Sequence, residues 1–259
     1  MKRNVFLLML VLSVLLCACL MQEGETFIDV NGVTLSYLEQ GSGKPLILLH
    51  GGGGSCHDFE PVMEELAEEY KVLAVDSRGH GKSSKVEAYH YQDMAEDIAE
   101  FIRKKELKGA ALYGFSDGGI VGLLLASQYP DLISCMVISG ANADPHGLRN
   151  EVREAMEEAY RQSGDGLLKM EITEPHITKE ELKKIHVPVL LLAGSDDLVK
   201  ASHTKYLAAA IPKGTYEILE GESHSSYIFK GEELADRIRT FCKAVDICRK
   251  SPIDYSFSE

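Results

Sequence analysis

One serine of this chain lies in a sequence that is typical of a nucleophile. The segment Gly114-Phe115-Ser116-Asp117-Gly118 is a Gly-x-Ser-x-Gly pattern that joins an apolar, strand-like run at residues 110–113 to an apolar, helix-like run at 120–128. Small residues around Ser116 allow a tight turn that lifts its hydroxyl clear of a sheet, at the positive end of the next helix. The pattern predicts a nucleophilic serine, and the alternative is a surface loop with an ordinary serine.

A run of four glycines follows an earlier apolar segment. His50-Gly51-Gly52-Gly53-Gly54 comes directly after residues 46–49. Consecutive glycines let a backbone approach a ligand closely with free N–H donors, so this loop can form an oxyanion hole, the donors that stabilise a negatively charged oxygen during acyl transfer. The alternatives are a flexible surface turn and a phosphate cradle, although the loop lacks the Gly-Lys-Ser/Thr ending of a phosphate loop.

A third polar segment, Asp76-Ser77-Arg78-Gly79-His80-Gly81-Lys82-Ser83, follows the apolar run 72–75. We expect Asp76 and Arg78 to pair and thereby fix the loop. His80 is expected to be structural, because it precedes the strand that leads to the candidate nucleophile.

The elements that must position these segments alternate along the chain. Residues 26–30 and 34–39 flank Asn31-Gly32, the strongest two-residue hairpin signal, and predict an antiparallel pair. Strands and helices then alternate, which predicts a mostly parallel sheet covered on both faces, with ligands beyond the carboxyl ends of its strands. The predicted strands are 46–49, 72–75, 110–113, 133–138, 189–192 and 216–219, and the predicted helices are 59–70, 93–106, 120–128, 203–210 and 231–245.

In order and spacing, the three polar segments resemble the α/β-hydrolase fold family, and the resemblance extends from about Thr26 to Val245. It implies an α/β fold with a mostly parallel eight-stranded sheet, helices on both faces and a short helical cap. It also implies that the nucleophile, an acid and a histidine occur in that order along the chain.

The resemblance supplies candidates for the acid and the histidine. The family's Gly-x-x-Asp pattern falls on Asp197, with its neighbour Asp196 and the earlier Asp144 as alternatives. The family histidine falls on His224, which follows the last predicted strand, and His203 is the weaker candidate.

The chemistry that these residue types imply is serine hydrolysis. His224 would take the proton of Ser116 and return it to the leaving group, while Asp197 would hold the histidine tautomer and stabilise the imidazolium. We therefore expect a carboxylic ester or related small-molecule acyl substrate to be cleaved through an acyl-enzyme, without a metal or organic cofactor. The alternatives on the same fold are a lactonase, an aminopeptidase, a carbon–carbon bond hydrolase and a non-catalytic small-molecule receptor.

The glycine loop and the residue after the nucleophile supply the remaining predicted contacts. The backbone N–H groups of Gly52 and Asp117 would stabilise the oxyanion, and Gly53 is a candidate substrate contact. The Asp117 carboxylate has two interpretations. It is an acid favoured by the helix dipole, or it attracts a cationic group, such as an α-amino group, beside the scissile carbonyl.

Two further features concern the substrate. The segment 143–186 stands where the family places its cap, and it is short and highly charged, which suggests an open or shallow pocket. The residues Gly-Phe-Ser-Asp-Gly-Gly-Ile from Gly114, with Gly140-Ala141-Asn142-Ala143 farther on, resemble the valacyclovir hydrolase (biphenyl hydrolase-like) branch. That resemblance implies hydrolysis of amino-acid esters, although the cap differs.

Composition restricts the class of protein. The 259 residues are 45% hydrophobic and fit one large domain. The formal net charge of −13 is spread along the chain, which disfavours nucleic acid as a partner. No Cys-x-x-Cys pair or zinc spacing occurs, so no metal site is predicted. Cys135 is expected in the core, and Cys242 and Cys248 could form a disulfide.

The N-terminus has the layout of a secretory signal. Lys2 and Arg3 precede the apolar run 5–16, and Cys17-Ala18-Cys19 follows. With Leu16, this segment resembles a bacterial lipobox, which implies lipidation of Cys19 and an extracytoplasmic, membrane-tethered protein. An uncleaved anchor and a secreted form are the alternatives.

These interpretations divide the chain into four parts. Residues 1–19 are the predicted signal and lipobox segment, 20–25 a short tether, 26–248 the hydrolase domain with its cap, and 249–259 a C-terminal tail. The oligomeric state is not predicted.

Overall fold

A computed structural model describes residues 24–250 of the chain, and side chains up to residue 247. The predicted signal segment, Cys19 and the residues after 250 lie outside this part, as does the side chain of Cys248. Cys242, its predicted partner, is a buried free thiol. In the described part, none of the helices combines the length and apolar composition that crossing a membrane requires.

Eight strands form one sheet, in the spatial order β1-β2-β4-β3-β5-β6-β7-β8. The first two pairings, β1 with β2 and β2 with β4, are antiparallel, and the other five are parallel. The predicted mostly parallel sheet is therefore confirmed. The strands are β1 (Thr26–Val30), β2 (Val33–Gln40), β3 (Lys44–Leu49), β4 (Tyr70–Val75), β5 (Ala110–Phe115), β6 (Ile133–Ser139), β7 (Val189–Asp196) and β8 (Gly214–Ser223).

The hairpin between β1 and β2 forms as predicted. Asn31 and Gly32 have φ values of 44° and 81°, the left-handed conformation that a tight two-residue hairpin turn requires. Asparagine and glycine adopt it at the least cost, which explains why this pair marks the turn.

Helices cover both faces of the sheet. The α2 and α3 helices pack with the larger hydrophobic cluster on one face, and α1 and α8 pack with a second cluster on the other. The α1 helix is shorter than the predicted 59–70, because the chain joins β4 at Tyr70, where it pairs with Lys44. The helices are α1 (Glu60–Leu66), α2 (Tyr91–Lys104), α3 (Asp117–Gln128), α4 (Asn150–Ser163), α5 (Gly166–Thr173), α6 (Lys179–Leu182), α7 (Ala201–Ala210) and α8 (Gly231–Lys250).

Three of these helices, α4 to α6, lie in the segment predicted as the cap. Asp165 caps the start of α5, because its side chain accepts hydrogen bonds from the N–H groups of Leu167 and Leu168. Within α5, Met170 is buried in the core, which fixes the helix against the body of the domain. The next residue, Glu171, reaches the glycine loop beyond β3.

The predicted pairing of Asp76 with Arg78 is wrong. Asp76 instead accepts hydrogen bonds from the backbone N–H groups of Cys56 and Lys82, at 2.7 and 2.8 Å. Arg78 turns the other way and binds Asp97 through two bonds of 2.7 Å. Both residues still fix the loop, but each through a different neighbour.

Candidate active site

Ser116 lies in a sharp turn between the end of β5 and the start of α3. Its φ of 51° and ψ of −114° are unusual for a residue with a side chain, and strained conformations of this kind concentrate at functional sites. A Cβ at Gly114 would lie 2.4 Å from the Gly118 carbonyl oxygen, and a Cβ at Gly118 would lie 2.1 Å from the Leu49 carbonyl oxygen. The two glycines therefore permit the turn and let it pack against the end of β3.

The structure brings Ser116, His224 and Asp197 together. The Oγ of Ser116 lies 3.2 Å from the Nε2 of His224, and the Nδ1 of His224 lies 2.6 Å from the Oδ1 of Asp197. Because a carboxylate can only accept, Nδ1–H is the donor, which leaves Nε2 as the acceptor for the serine hydroxyl. A serine, a base and an acid are thus joined in one chain of hydrogen bonds.

Asp197 is held in its ionised form. Burial by itself would raise the pKa of Asp197, but the hydrogen bond from His224 and the N–H groups of Val199 and Gly194 outweigh it, so the pKa lies below its ordinary value. These two N–H groups lie 3.0 and 3.1 Å from the carboxylate. The carboxylate therefore remains charged beside the histidine throughout the neutral range.

The alternative acids do not contact His224. Asp196 points away from the site, with 81% of its side chain exposed, and Oδ1 accepts from Arg149 at 3.1 Å. Asp144 is bound instead by His146 and His176. Each alternative thus has a local partner of its own.

The alternative histidines are also occupied elsewhere. His203 Nε2 accepts from the backbone N–H of Ala143 at 3.0 Å, and burial lowers the pKa of His203. His80 Nδ1 lies 3.1 Å from the Arg78 carbonyl oxygen, while His80 Nε2 is buried without a partner.

The glycine loop lies directly beside the nucleophile. A Cβ at Gly51 would lie 3.1 Å from the Cβ of Ser116. Within residues 24–250, the backbone N–H groups of Gly52 and Asp117 make no hydrogen bond, so both are available to an oxyanion. Gly53 is exposed, and its role as a substrate contact stays a prediction.

Sequence reasoning missed two residues that hold the histidine. Gly140 has a φ of 61°, and a Cβ there would lie 2.7 Å from the Cε1 of His224, so a side chain would displace the ring. The ring of Phe115 packs 5.0 Å from the ring of His224, centroid to centroid. The only sequence signal for Gly140 was its position after a predicted strand, and the only signal for Phe115 was its position before the candidate nucleophile.

The Asp117 carboxyl group lies in an unexpected environment. The residue is 7% exposed, and its Oδ1 accepts a hydrogen bond of 2.7 Å from the hydroxyl of Tyr91. Its Oδ2 is buried and has no partner among the described residues. Glu171, from the cap helix α5, lies beside it, and the sequence held no signal for this second acid.

One group within the described residues has the geometry of three metal ligands, namely Glu25, Cys56 and His57. The Glu25 carboxylate is already bound to His57 at 2.6 Å and to Lys82 at 2.9 Å. Burial and the nearby Asp76 also raise the pKa of the Cys56 thiol far above its usual range, which disfavours the thiolate that a metal needs. The ion pairs explain this cluster without a metal.

Comparison with known proteins gives a consistent picture. Residues 44–161 match the family model described as "alpha/beta hydrolase fold". A 2-(acetamidomethylene)succinate hydrolase of Mesorhizobium japonicum is 39% identical over 111 residues, which is 42% of this chain and 40% of that protein. The chain thus spans about two fifths of the length of the first curated relatives it matches.

Longer matches also occur. The serine hydrolase BPHL of Mus musculus is 27% identical over 246 residues, which cover 83% of this chain and 84% of that protein. The solved structure of an esterase from Exiguobacterium antarcticum superposes with a TM-score of 0.75 at 24% identity, and covers 85% of this chain and 100% of that one. At this identity, the structural match shows the fold alone.

Proposed function

We propose that this chain, which belongs to the α/β-hydrolase fold family, is a serine hydrolase that cleaves a carboxylic ester or related acyl compound through an acyl-enzyme. The observation that carries the proposal is the continuous hydrogen-bond chain from Ser116 through His224 to Asp197. Its position at the carboxyl ends of β5, β7 and β8, beside free N–H donors, adds support.

The reaction follows from the geometry. The Oγ of Ser116 attacks the substrate carbonyl carbon while Nε2 of His224 takes the hydroxyl proton. The oxyanion that forms accepts hydrogen bonds from the N–H groups of Gly52 and Asp117, each worth about 3 to 4 kcal/mol in comparable sites. His224 then protonates the leaving oxygen as its bond to the carbonyl carbon breaks. Water repeats the sequence and releases the acid.

Asp197 acts on the histidine and not on the substrate. Its carboxylate fixes the tautomer in which Nδ1 carries the proton, and it stabilises the positive charge that His224 gains during each proton transfer.

A covalent probe tests the proposal. We expect a fluorophosphonate to react at Ser116, because attack by Oγ on phosphorus expels fluoride and mimics the first step of hydrolysis. Peptide mass spectrometry should show the phosphonyl group on Ser116, and the Ser116→Ala variant should remain unlabelled. Absence of labelling in the wild-type protein would instead favour the non-catalytic receptor.

We also propose that the acyl part of the substrate carries a cationic group near the scissile carbonyl. The support is Asp117, whose buried Oδ2 has no partner in the described part of the chain and whose backbone N–H is a proposed oxyanion donor. A buried carboxylate oxygen without a partner is costly, and an ammonium group would satisfy it.

The matching prediction separates the side chain of Asp117 from its backbone. Asp117→Asn keeps the N–H donor and the shape of the side chain but removes the charge. We expect kcat/KM to fall at least tenfold more for L-valine benzyl ester than for benzyl 3-methylbutanoate, which has the same shape without the amine. Equal losses on the two esters would contradict a cationic substrate and leave Asp117 as a helix-terminal acid.

A further inference from the structure

Two carboxyl groups from separate parts of the chain point at the same space beside the glycine loop. A Cβ built on Gly52 would lie 2.9 Å from the Oδ2 of Asp117 and 2.2 Å from the Oε1 of Glu171. Asp117 comes from the turn that carries the nucleophile, and Glu171 comes from the cap helix α5. Gly52 itself is exposed, so this space borders solvent.

Among residues 24–250, neither carboxyl group forms an ion pair. Oδ2 of Asp117 is buried and unpartnered, and the side chain of Glu171 makes no hydrogen bond or ion pair with any other residue from 24 to 250. The ionisable groups that act on the pair are Tyr91, His80 and His224, on the side of Asp117, and Asp165, on the side of Glu171. No lysine or arginine is among them.

The two acids change each other's ionisation. Burial, followed by the charges of Asp117 and Asp165, raises the pKa of Glu171 to about 8. Burial also raises the pKa of Asp117, against the opposing effects of the Tyr91 hydrogen bond and of His80 and His224. Near neutral pH the pair therefore retains one proton, and we assign it to Glu171.

We propose that Asp117 and Glu171 together bind one ammonium group on the acyl part of the substrate, and that the ammonium displaces the proton held by Glu171 to solvent. The ligand's identity as an acyl substrate rests on the proposed function. Two carboxylates around one ammonium leave a net charge of −1, which is the charge of the same pair when it holds a single proton. The exchange thus adds no charge to a poorly solvated space.

The site also explains how such a substrate can be favoured. The same carboxyl groups lie beside Gly52, whose N–H is an expected oxyanion donor, and a second negative charge there would oppose the oxyanion. With a neutral acyl group, Glu171 must keep its proton to avoid that second charge, whereas a bound ammonium balances the charge and lets both carboxylates accept hydrogen bonds from the substrate. Glu171 is therefore a specificity-determining residue supplied by the cap.

Calorimetry on a protein that cannot turn over tests the exchange. Ser116→Ala is titrated with L-valine benzyl ester between pH 5.5 and 6.5, where an α-amino group is protonated, in two buffers of different ionisation enthalpy. We expect release of close to one proton and an affinity that rises about tenfold over this pH unit, as displacement of one proton requires. Benzyl 3-methylbutanoate should show neither effect.

Second substitutions in the Ser116→Ala protein test whether the released proton comes from Glu171. Adding Glu171→Gln should abolish proton release and make the affinity for the amine ester independent of pH. Adding Glu180→Gln, which changes an exposed acid elsewhere in the cap, should preserve both effects. Proton release that persists without Glu171, or that is absent with it, would overturn the proposal.

Thermal melting shows whether Glu171→Gln folds and gives a second readout. The pKa of Glu171 is higher in the folded protein than in the unfolded chain. The free energy of unfolding therefore falls as the pH rises from about 4.5 to about 8. The variant cannot incur this loss, so its Tm should exceed that of the wild type at pH 8 and approach it at pH 4. An equal difference in Tm at both pH values would contradict the raised pKa and, with it, the retained proton.

The two proposals can fail separately, because binding is measured without turnover. If Ser116→Ala binds the amine ester with proton release while the wild type hydrolyses no ester, the ammonium site stands and the serine hydrolase fails. If the wild type hydrolyses esters while no proton is released on binding, the reverse holds.

Discussion

Ser116→Ala should abolish hydrolysis of p-nitrophenyl acetate by the full-length protein. In serine hydrolases with a Ser-His-Asp site, loss of the nucleophile lowers kcat by about 10⁶, and the oxyanion donors sustain only a small residual rate. Here the proposed donors are the backbone N–H groups of Gly52 and Asp117, which the substitution leaves in place. The expected result is therefore a rate close to that of the uncatalysed reaction, measured by release of p-nitrophenol.

Two controls accompany this prediction. Ser163→Ala removes a hydroxyl from the end of the cap helix α4, where it donates to the Ala159 carbonyl oxygen and accepts from the Asp165 N–H, and should leave kcat unchanged. The melting temperature of Ser116→Ala should stay within a few degrees of the wild type, since no buried contact other than the bond to His224 is lost. Turnover retained in a folded Ser116→Ala protein would remove the serine hydrolase assignment.

Asp197→Asn should lower kcat by about 10⁴ while KM changes little. The amide of asparagine can present its NH₂ group to Nδ1 of His224, which would favour the tautomer with the proton on Nε2. That tautomer cannot accept the proton of Ser116, so the base is lost although the geometry survives. Steady-state kinetics on a neutral ester at pH 7 to 8 measure the effect.

The neighbouring residue supplies a matched control for this variant. Asp196→Asn makes the same chemical change one position earlier, at a side chain that is exposed and bound to Arg149, and should alter kcat by less than threefold. Asp144→Asn tests the other candidate acid and should also have a small effect. A large loss at either position, with activity retained in Asp197→Asn, would show that the acid had been assigned wrongly.

Features that depend on neighbours in sequence could be predicted from the chain alone. The turn at Ser116 needs small residues at Gly114 and Gly118, and the hairpin needs Asn31 and Gly32, because each requirement is a backbone conformation set within a few residues. Apolar runs likewise predicted strands and helices in the order in which they occur. The resemblance to the α/β-hydrolase fold was therefore visible from local patterns.

Contacts between residues far apart in sequence were harder to predict from the chain alone. The expected contact between Asp76 and Arg78 was wrong, because it was inferred from their closeness in sequence. Packing of α2 against the sheet places Asp97 beside Arg78, and Arg78 binds Asp97 instead. The choice between Asp196 and Asp197 rested on a family pattern. In the structure the register at the end of β7 is irregular, so that Asp196 faces solvent while Asp197 turns inward and contacts His224.

The sequence by itself determined the fold class, the candidate nucleophile and the candidate substrate contact at Asp117, since each depends on a short pattern of residue types. Only the tertiary structure decided that Asp117 has a second carboxyl group beside it. Glu171 is one acid among many in a charged cap, and nothing in its own segment distinguishes it. Its proximity to Asp117 depends on how α5 packs over the ends of the strands, which is a property of the whole core and of no single segment.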